Sequence, residues 1–477
     1  RKLPLMVTDR ESALTSYLVV PFFWLFGVGT FTMRLMPVLG SALTLVLSYF
    51  LGKALFGRPA GVIAALLLAT TPSYIFFSRQ GLDANTVMAV MSTGSLLCLL
   101  AWHRHGQKRY LWLAALLVGL GIAIKILFLW YVAAIAVLAL LFHPTANMFA
   151  LARRVFRLRL RLAVAWPLVA AVPFLAIGAW MPIYYNVRTH GTWTLLRNNL
   201  SSTADGVNNA AYIDNLRTRI EGLTRLLDGG LFWYLGGVFR NPVLSWAFGG
   251  AILLSLLLMA IPGARRHWRP FALIVGLIAV IMLLSPFSTS NLTPTHLFIL
   301  FPLPQLLIGA SLWAAMRYLP IRPLLTAAAV ALVALLAAWN VRADIQYHQA
   351  LARSGGILNH SDAIGDLARY LDAKREIPSY SMDWGIRSGV QLLTQGRVDP
   401  LELFMYAPEP NQTFKDWTWG TLGKPEAIFI FHSKEATTYA RYDAFLELAK
   451  MRGRTVQLEY TARQHDNIPI YQVYLVR

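Results

Sequence analysis

The sequence predicts a polytopic α-helical membrane protein that carries an α/β domain at its carboxyl end. Three observations lead there. Apolar runs of about 18 residues or more recur through the first three-quarters of the chain, the length a helix needs to cross a bilayer. Only 14% of the 477 residues are charged and 56% are hydrophobic, with a mean hydropathy of +0.51, where a soluble protein carries roughly a quarter charged residues. After residue 343 the chain turns charged, and short helix-like and strand-like patterns alternate.

Spans are expected at 34–56, 60–78, 84–102, 110–125, 126–143, 163–186, 243–262, 270–286, 296–316 and 323–343, about ten in all. The loops between them alternate in charge. Lys53 and Arg58, then Arg104, Lys108 and Arg109, then Arg153, Arg154, Arg157, Arg159 and Arg161, then Arg265, Arg266 and Arg269, and finally Arg317 and Arg322 fall on one side. That side is expected to be cytoplasmic. The net charge of +20 therefore reports topology, and a nucleic-acid partner is not expected. The single cysteine, Cys98, lies inside an apolar run, which rules out a disulfide framework or a thiolate metal cluster.

The same alternation places the opening segment, 1–33, on the outer face. The run ALTSYLVVPFFWLFG (13–27) would then start and end on one side, so it reads as a juxtamembrane helix lying in the interface. Tyr17, Phe22, Phe23, Trp24 and Phe26 supply its aromatic belt. Thr8-x-x-Glu11 reads as a capping box heading that helix, with Asp9 complementing the positive helix end. The 34–343 transmembrane domain contains a long external loop, 187–242, with the amphipathic stretch YIDNLRTRIEGLTRLL (212–227). In the external 344–477 domain, a helix is expected over 361–374 and another near 441–451. Strands are expected at AIFIF (427–431), TVQLEY and IYQVYLV. Asp383 and Trp384 are expected to be ordinary packing. The chain opens RKLPLMVTDR, without an initiator Met or a signal peptide, and its start is read as truncated.

Ionisable groups at or near the bilayer are costly and mark candidate sites. Arg79 and Asp83 stand four apart in SRQGLDAN, which fits either a local ion pair ending a helix or a phosphate-binding arginine oriented by its carboxylate. Lys125 interrupts an apolar run in GIAIKILFLWY, as a snorkelling lysine at an external turn or as a cation for an anionic headgroup. His296 sits where a span begins on the outside, as a structural histidine or a site residue. Tyr184, Tyr185, Asn186 and Arg188 fit an aromatic belt at an outer span end. For Asp9 and Glu11, cap and site are compatible roles, because a capped helix holds its first-turn carboxylates at a defined point above the membrane.

The series ESALTSYLVVPFFWLFGVGTFTMRLMPVLG followed by LGKALFGRPAGVIAALLLATTPSYIFFSRQGLDAN resembles the GT-C glycosyltransferases, in particular bacterial relatives of protein O-mannosyltransferases and the lipid A aminoarabinose transferase. The likeness covers about 7–130 and rests on an ordered series: an acidic lead, an interfacial helix ending in LFG, Arg34 opening the next span, ALFG (54–57) at its inner end, and a P…SR stretch closing the following span. The resemblance implies an inverting sugar transfer from a polyprenyl-phosphate donor to an outer-face acceptor, which could be glycan, lipid or protein. It makes Glu11, Asp9 and Asp83 the candidate catalytic carboxylates. Arg79, Lys125, His296 and Arg188 become the candidate donor-phosphate ligands. No cofactor beyond the lipid-linked donor is implied, with a divalent metal left open. The family's principal acidic residue precedes the interfacial helix by more residues than this chain contains, so the main catalytic Asp is expected upstream of Arg1, with Asp9 as the alternative. The implied location is the inner (plasma) membrane, with the carboxyl-terminal domain periplasmic or extracellular.

Two other functions compete. A lipid or sugar transporter or flippase would show repeated halves and charges near the midplane, whereas the unusual charges here gather at one face. A non-catalytic membrane scaffold would explain the tail but not the convergence of Arg79, Asp83 and Lys125.

Overall fold

A computed structural model describes the chain apart from residues 1–2, 82–83, 143–165, 202, 205–206, 209–210, 231–238 and 288–292. The fold has two compact units. The first comprises Arg1–Phe22, Arg34–Leu231 and Arg240–Ala343; the second comprises Phe23–Met33, Phe232–Phe239 and Asp344–Arg477.

The first unit opens with a hairpin in which β1 (Met6–Thr8) pairs antiparallel with β2 (Glu11–Ser12), Thr8 opposite Glu11. Asp9 and Arg10 form the turn, and the Arg10 N–H donates to the Thr8 hydroxyl at 3.2 Å. This corrects the expected capping box. Thr8 and Glu11 face each other across a two-residue turn, a geometry that a Thr-Asp sequence supports through side-chain bonds to its own backbone. The helix begins only at Leu14 (α1, Leu14–Phe26), where the Leu14 N–H donates to the Ser12 hydroxyl at 3.3 Å. At its far end Trp24, Leu25 and Phe26 are strongly exposed, as suits an apolar surface meeting lipid.

The helices that follow are α2 (Thr30–Leu55), α3 (Arg58–Thr70), α4 (Pro72–Ser78), α5 (Ala84–His105), α6 (Lys108–Ile124) and α7 (Leu129–Leu141). After the undescribed 143–165 come α8 (Val172–Gly178), α9 (Trp180–Thr189), α10 (Gly191–Ser201) and α11 (Tyr212–Asp228). The unit is completed by α12 (Pro242–Leu258), α13 (Pro262–Arg265), α14 (Trp268–Leu284), α15 (Thr293–Leu297), α16 (Leu303–Tyr318) and α17 (Arg322–Ser354). Among the described residues, α2, α5, α14 with its following turn, and α17 are each long and apolar enough to cross a membrane. Two bent pairs could each make one further span: α3 with α4, at 64°, and Trp166–Gly178 with α9, at 75°. The first bend falls inside the stretch expected to run straight from 60 to 78. Pro72 lacks an N–H and forces Thr71 out of helical geometry, to φ −65 and ψ 116. This is an integral membrane protein. The expected basic residues 153–161 lie outside the described residues.

Contacts gather the basic loops at one end of the bundle. Arg104 donates to the Ala54 carbonyl. Arg266 and His267 bond the Tyr318 hydroxyl at 3.0 and 2.8 Å, and Trp313 packs against Phe56 and His267. Within the bundle the helices approach closely through small residues, the way apolar helices associate where lipid removes any hydrophobic drive. At the α6–α8 crossing, a Cβ on Gly119 would lie 2.2 Å from the Leu175 carbonyl, and one on Gly178 would lie 2.5 Å from that of Leu116. A polar seam adds specificity. Asn241 caps α12 and donates to the Asn340 amide oxygen at 2.9 Å, Asn340 donates to Thr70 at 3.3 Å, and Gln305 donates to Thr71 at 3.2 Å. These bonds hold the α3–α4 bend to α16 and α17.

In the second unit, α18 (Ala363–Ala373), α19 (Arg387–Leu393), α20 (Gln412–Thr421) and α21 (Tyr442–Met451) surround a five-stranded sheet. Two short antiparallel ribbons precede it in the chain, β3 (Thr203–Ala204) with β4 (Val207–Asn208) and β5 (Gly356–Ile357) with β6 (His360–Ser361), and its strand order is β10 (Val456–Arg463), β11 (Pro469–Val476), β9 (Ala427–His432), β7 (Ser379–Ser381) and β8 (Leu401–Glu402). The first two pairings are antiparallel and the last two parallel. The unbroken apolar run of β9 is buried on both faces, against Leu367 and Val390 on one side and Phe414 and Phe445 on the other. Short β7 and β8 carry no such run and are not legible in the sequence. Asp383 is buried and accepts from the N–H groups of Trp384, Thr438 and Tyr439, and its Oδ2 lies 3.0 Å from Nδ1 of buried His432. It orders the loop leading to α21.

Two predictions follow from this packing. Gly178→Leu should overpack the α6–α8 crossing, cost about 1–3 kcal/mol and lower the thermal midpoint of the detergent-solubilised protein; an unchanged midpoint contradicts the close approach. In the sheet domain, Arg397 and Arg387 hold Asp372 and Asp399 below the ordinary carboxylate range, and Lys374 does the same to Glu459. Depressed folded-state values mean stability that is fully present above the unfolded carboxylate values and lost as pH falls through the folded ones. The sheet domain's unfolding temperature should therefore drop on acidification below about pH 4. That drop should be smaller in a chain carrying Asp372→Asn and Asp399→Asn.

Candidate functional site

The end of the bundle opposite the basic loops is organised around a helix break. Lys125 stands between α6 and the 3-10 turn Ile126–Phe128 in an extended conformation, φ −154 and ψ 127. The turn folds back so tightly that a Cβ on Gly121 would meet the Phe128 ring at 2.5 Å. The break leaves the Ile126 N–H without a helical partner, and it donates instead to the Arg10 carbonyl at 2.9 Å. Beside that bond, Lys125 Nζ pairs with Glu11 Oε1 at 3.1 Å. The lysine side chain is 12% exposed and the glutamate 33%, so the pair sits at a half-open rim where a carboxylate can be reached. Lys125 is thus turned onto the hairpin.

The other flank of the hairpin is tied to α9 and α10. Tyr185 donates its hydroxyl to Asp9 Oδ1 at 2.5 Å, and the Thr192 hydroxyl donates to the Asp9 carbonyl at 3.1 Å. Gly191 allows this approach, since a Cβ there would lie 2.8 Å from Asp9 Oδ1 and 2.9 Å from the Tyr185 ring. Asp9 is held by its neighbours, whereas Glu11 faces a cation.

His296, on α15, is buried and meets Trp130 edge-on at 6.3 Å. Its Nδ1 has no hydrogen-bond partner among the described residues. The positive groups acting on it are Lys125, Arg219 and Arg10. Arg219 comes from α11, which packs against α15. It is 2% exposed, and burial pushes its value down to about 10, so it stays charged at neutral pH. Lys125, Arg219 and the hairpin's own Arg10 therefore surround buried His296 beside a hairpin that presents two carboxylates, an arrangement suited to an anionic group on one side and a proton acceptor on the other.

Of the candidates from the sequence, Glu11, Asp9, Lys125 and His296 are brought into one neighbourhood. Arg79 caps α4 and is exposed, and its expected partner Asp83 lies outside the described residues. Arg188 is exposed and lays its guanidinium over the Tyr184 ring at 5.5 Å. Sequence reasoning passed over Arg10, Arg219, Tyr185 as a carboxylate partner, and Thr192. For Arg219 a signal was present: it is spaced three and seven residues from Gly222 and Leu226, so it interrupts the buried stripe of an otherwise regular amphipathic helix. Among the described residues no three His, Cys, Asp or Glu side chains form a metal-ligating group.

The family model for dolichyl-phosphate-mannose-protein mannosyltransferase matches residues 11–177, from Glu11 through the Lys125 break to the α6–α8 crossing. ArnT from Cupriavidus metallidurans, solved bound to undecaprenyl phosphate, superposes with a TM-score of 0.57 and 16% identity, covering 98% of this chain and 88% of that one. The chain has the GT-C glycosyltransferase fold. The archaeal oligosaccharyltransferase AglB from Archaeoglobus fulgidus, solved with an inhibitory peptide and a dolichol-phosphate, shares that fold at a TM-score of 0.51 and 15% identity; the match spans 87% of this chain and 61% of AglB. No curated protein sequence matches. The GT-C resemblance read over residues 7–130 is thus borne out by fold across nearly the whole chain.

The ties of the hairpin can be tested. Tyr185→Phe removes an exposed hydrogen bond to a carboxylate and should cost about 0.5–1.5 kcal/mol of hairpin order, read as faster proteolytic cleavage within residues 3–12 of the otherwise folded protein. Cleavage at the wild-type rate would show that the Asp9–Tyr185 contact does not hold the hairpin.

Proposed function

We propose that this GT-C chain is a membrane glycosyltransferase that moves a sugar from a polyprenyl-phosphate donor to an acceptor hydroxyl or amine on the hairpin side of the membrane. The observation that carries the reading is the Glu11–Lys125 pair beside buried His296 and Arg219. It is supported by the family description, which names a dolichyl-phosphate-mannose enzyme, and by the lipid phosphates bound to ArnT and AglB. The sheet domain and the hairpin would then lie on the outer face of the plasma membrane, and the basic loops on the cytoplasmic face.

In the proposed reaction the acceptor oxygen or nitrogen gives its proton to the Glu11 carboxylate as it attacks the anomeric carbon from the face opposite the lipid phosphate. The bond from that carbon to the phosphate oxygen breaks, and its electron pair stays on the departing polyprenyl phosphate. The configuration inverts. Lys125, Arg219 and Arg10 stabilise the charge collecting on the phosphate, and His296, whose Nδ1 has no hydrogen-bond partner among the described residues, offers a further polar contact. Asp9, already bonded to Tyr185 and Thr192, positions the hairpin, while Asp83, Arg79 and Arg188 enter the proposal through sequence position. The buried guanidinium of Arg219 suits a phosphate that must be recognised without bulk water.

Full-length protein incubated with a polyprenyl-phosphate sugar and candidate acceptors should release free polyprenyl phosphate. Glu11→Gln should lower turnover by about 100-fold or more, and Arg219→Gln should weaken donor use while the protein still folds. Full activity in both variants overturns the site. Movement of lipid across liposomes with no sugar transfer overturns the enzyme reading in favour of a transporter.

A further inference from the structure

At the basic-loop end, away from the hairpin, α3, α16 and α17 enclose a groove of about 830 Å³. Its mouth carries Arg58, at the start of α3, and Arg317, in the last turn of α16; both are exposed. Neither arginine has a hydrogen bond or ion pair among the described residues, and no acidic side chain lines the groove. From the mouth the walls are apolar apart from Thr326 and the Trp313 indole N–H. Val62 and Leu66 on α3 face Val330 and Val333 on α17, each pair spaced three or four residues and therefore on one helix face. The α17 wall runs from Thr326 to Ala334, about 12 Å of helix at 1.5 Å per residue. That depth is most of one leaflet's hydrocarbon, about 15 Å. Val62, Leu66 and Val330 are all more than 40% exposed, so none of the described residues covers them.

We propose that this groove binds an anionic glycerophospholipid of the leaflet on the basic-loop side, with one acyl chain along Val62, Leu66 and Val330 and the phosphate between Arg58 and Arg317. The observations select this occupant by charge and by length. An uncharged chain would leave two arginines unmatched at the mouth, whereas a soluble phosphate would leave the apolar walls uncovered. Guanidinium groups match phosphate oxygens in pairs, and basic pockets between membrane helices on the positive side take acidic headgroups. The Trp313 indole, also on the groove wall, suits the headgroup level at which amphipathic rings settle. The site lies at the opposite end of the bundle from the Glu11–Lys125 pair and does not depend on the proposed chemistry there.

The test uses full-length, delipidated protein and native mass spectrometry with phosphatidylglycerol and phosphatidylcholine offered together. Wild-type protein should retain phosphatidylglycerol in preference to phosphatidylcholine. The R58A/R317A variant should bind it about thirtyfold more weakly, at about one unit of surface attraction per arginine. Val330→Trp changes an exposed residue and should fill the groove, losing bound lipid while the thermal midpoint stays near that of the wild type. Equal retention of the two lipids, wild-type retention by R58A/R317A, displacement by soluble glycerol phosphate, or a preference for undecaprenyl phosphate over phosphatidylglycerol would each overturn the proposal.

Discussion

Everything at the candidate site depends on one interrupted helix. Had α6 run on into α7, Lys125 would face lipid or the bundle, and the Ile126 N–H would be spent inside the helix. Because the chain breaks there, a backbone donor and an ammonium group emerge side by side, and both are taken up by the hairpin at Arg10 and Glu11. An ion pair at a half-open rim contributes little by itself. Its value here is geometric, since the parallel backbone bond fixes where the carboxylate stands. The hairpin in turn positions Asp9 for Tyr185 and Thr192, so two helix breaks, at Lys125 and at His190, are joined through seven residues of β structure and turn.

Much of this was legible in the sequence. The apolar periodicity of a membrane helix is strong, and the helix limits expected for 361–374, 441–451 and 212–227 agree with α18, α21 and α11 to within about two residues. The expected strands AIFIF and IYQVYLV agree to within one residue, while TVQLEY stops three residues short of the end of β10. Charge alternation also anticipated that Glu11, Lys125 and His296 belong to one face, because topology alone puts the ends of odd and even spans together. What failed was local. Thr-x-x-Glu is a good helix-start signal, yet Asp9-Arg10 between them makes an equally good turn, and tertiary ties to Lys125 and Thr192 decide for the turn.

The missed residues share a cause. Tyr185 and Thr192 look like belt and loop because their partner lies some 180 positions earlier in the chain, and no local pattern announces a contact so distant. Arg219 is different: its place on the buried stripe of α11 was readable, but arginine on an amphipathic helix is ordinarily assigned to the wet face. A buried arginine in a membrane protein departs from that habit, and sites are where such departures collect.

The hairpin's two anchorages have a mechanical consequence. β1 and β2 are short, and a ribbon of two strands is stable only through what it is tied to. One flank is fastened to the α6–α7 break and the other to the α9–α10 corner, where a glycine permits almost no clearance. A displacement of Thr192 pulls on the Asp9 carbonyl, and Glu11 is two residues further along the same ribbon. The turn is therefore shared between two corners: where α9 and α10 hold Asp9 and where Lys125 stands together fix the place of the Glu11 carboxylate.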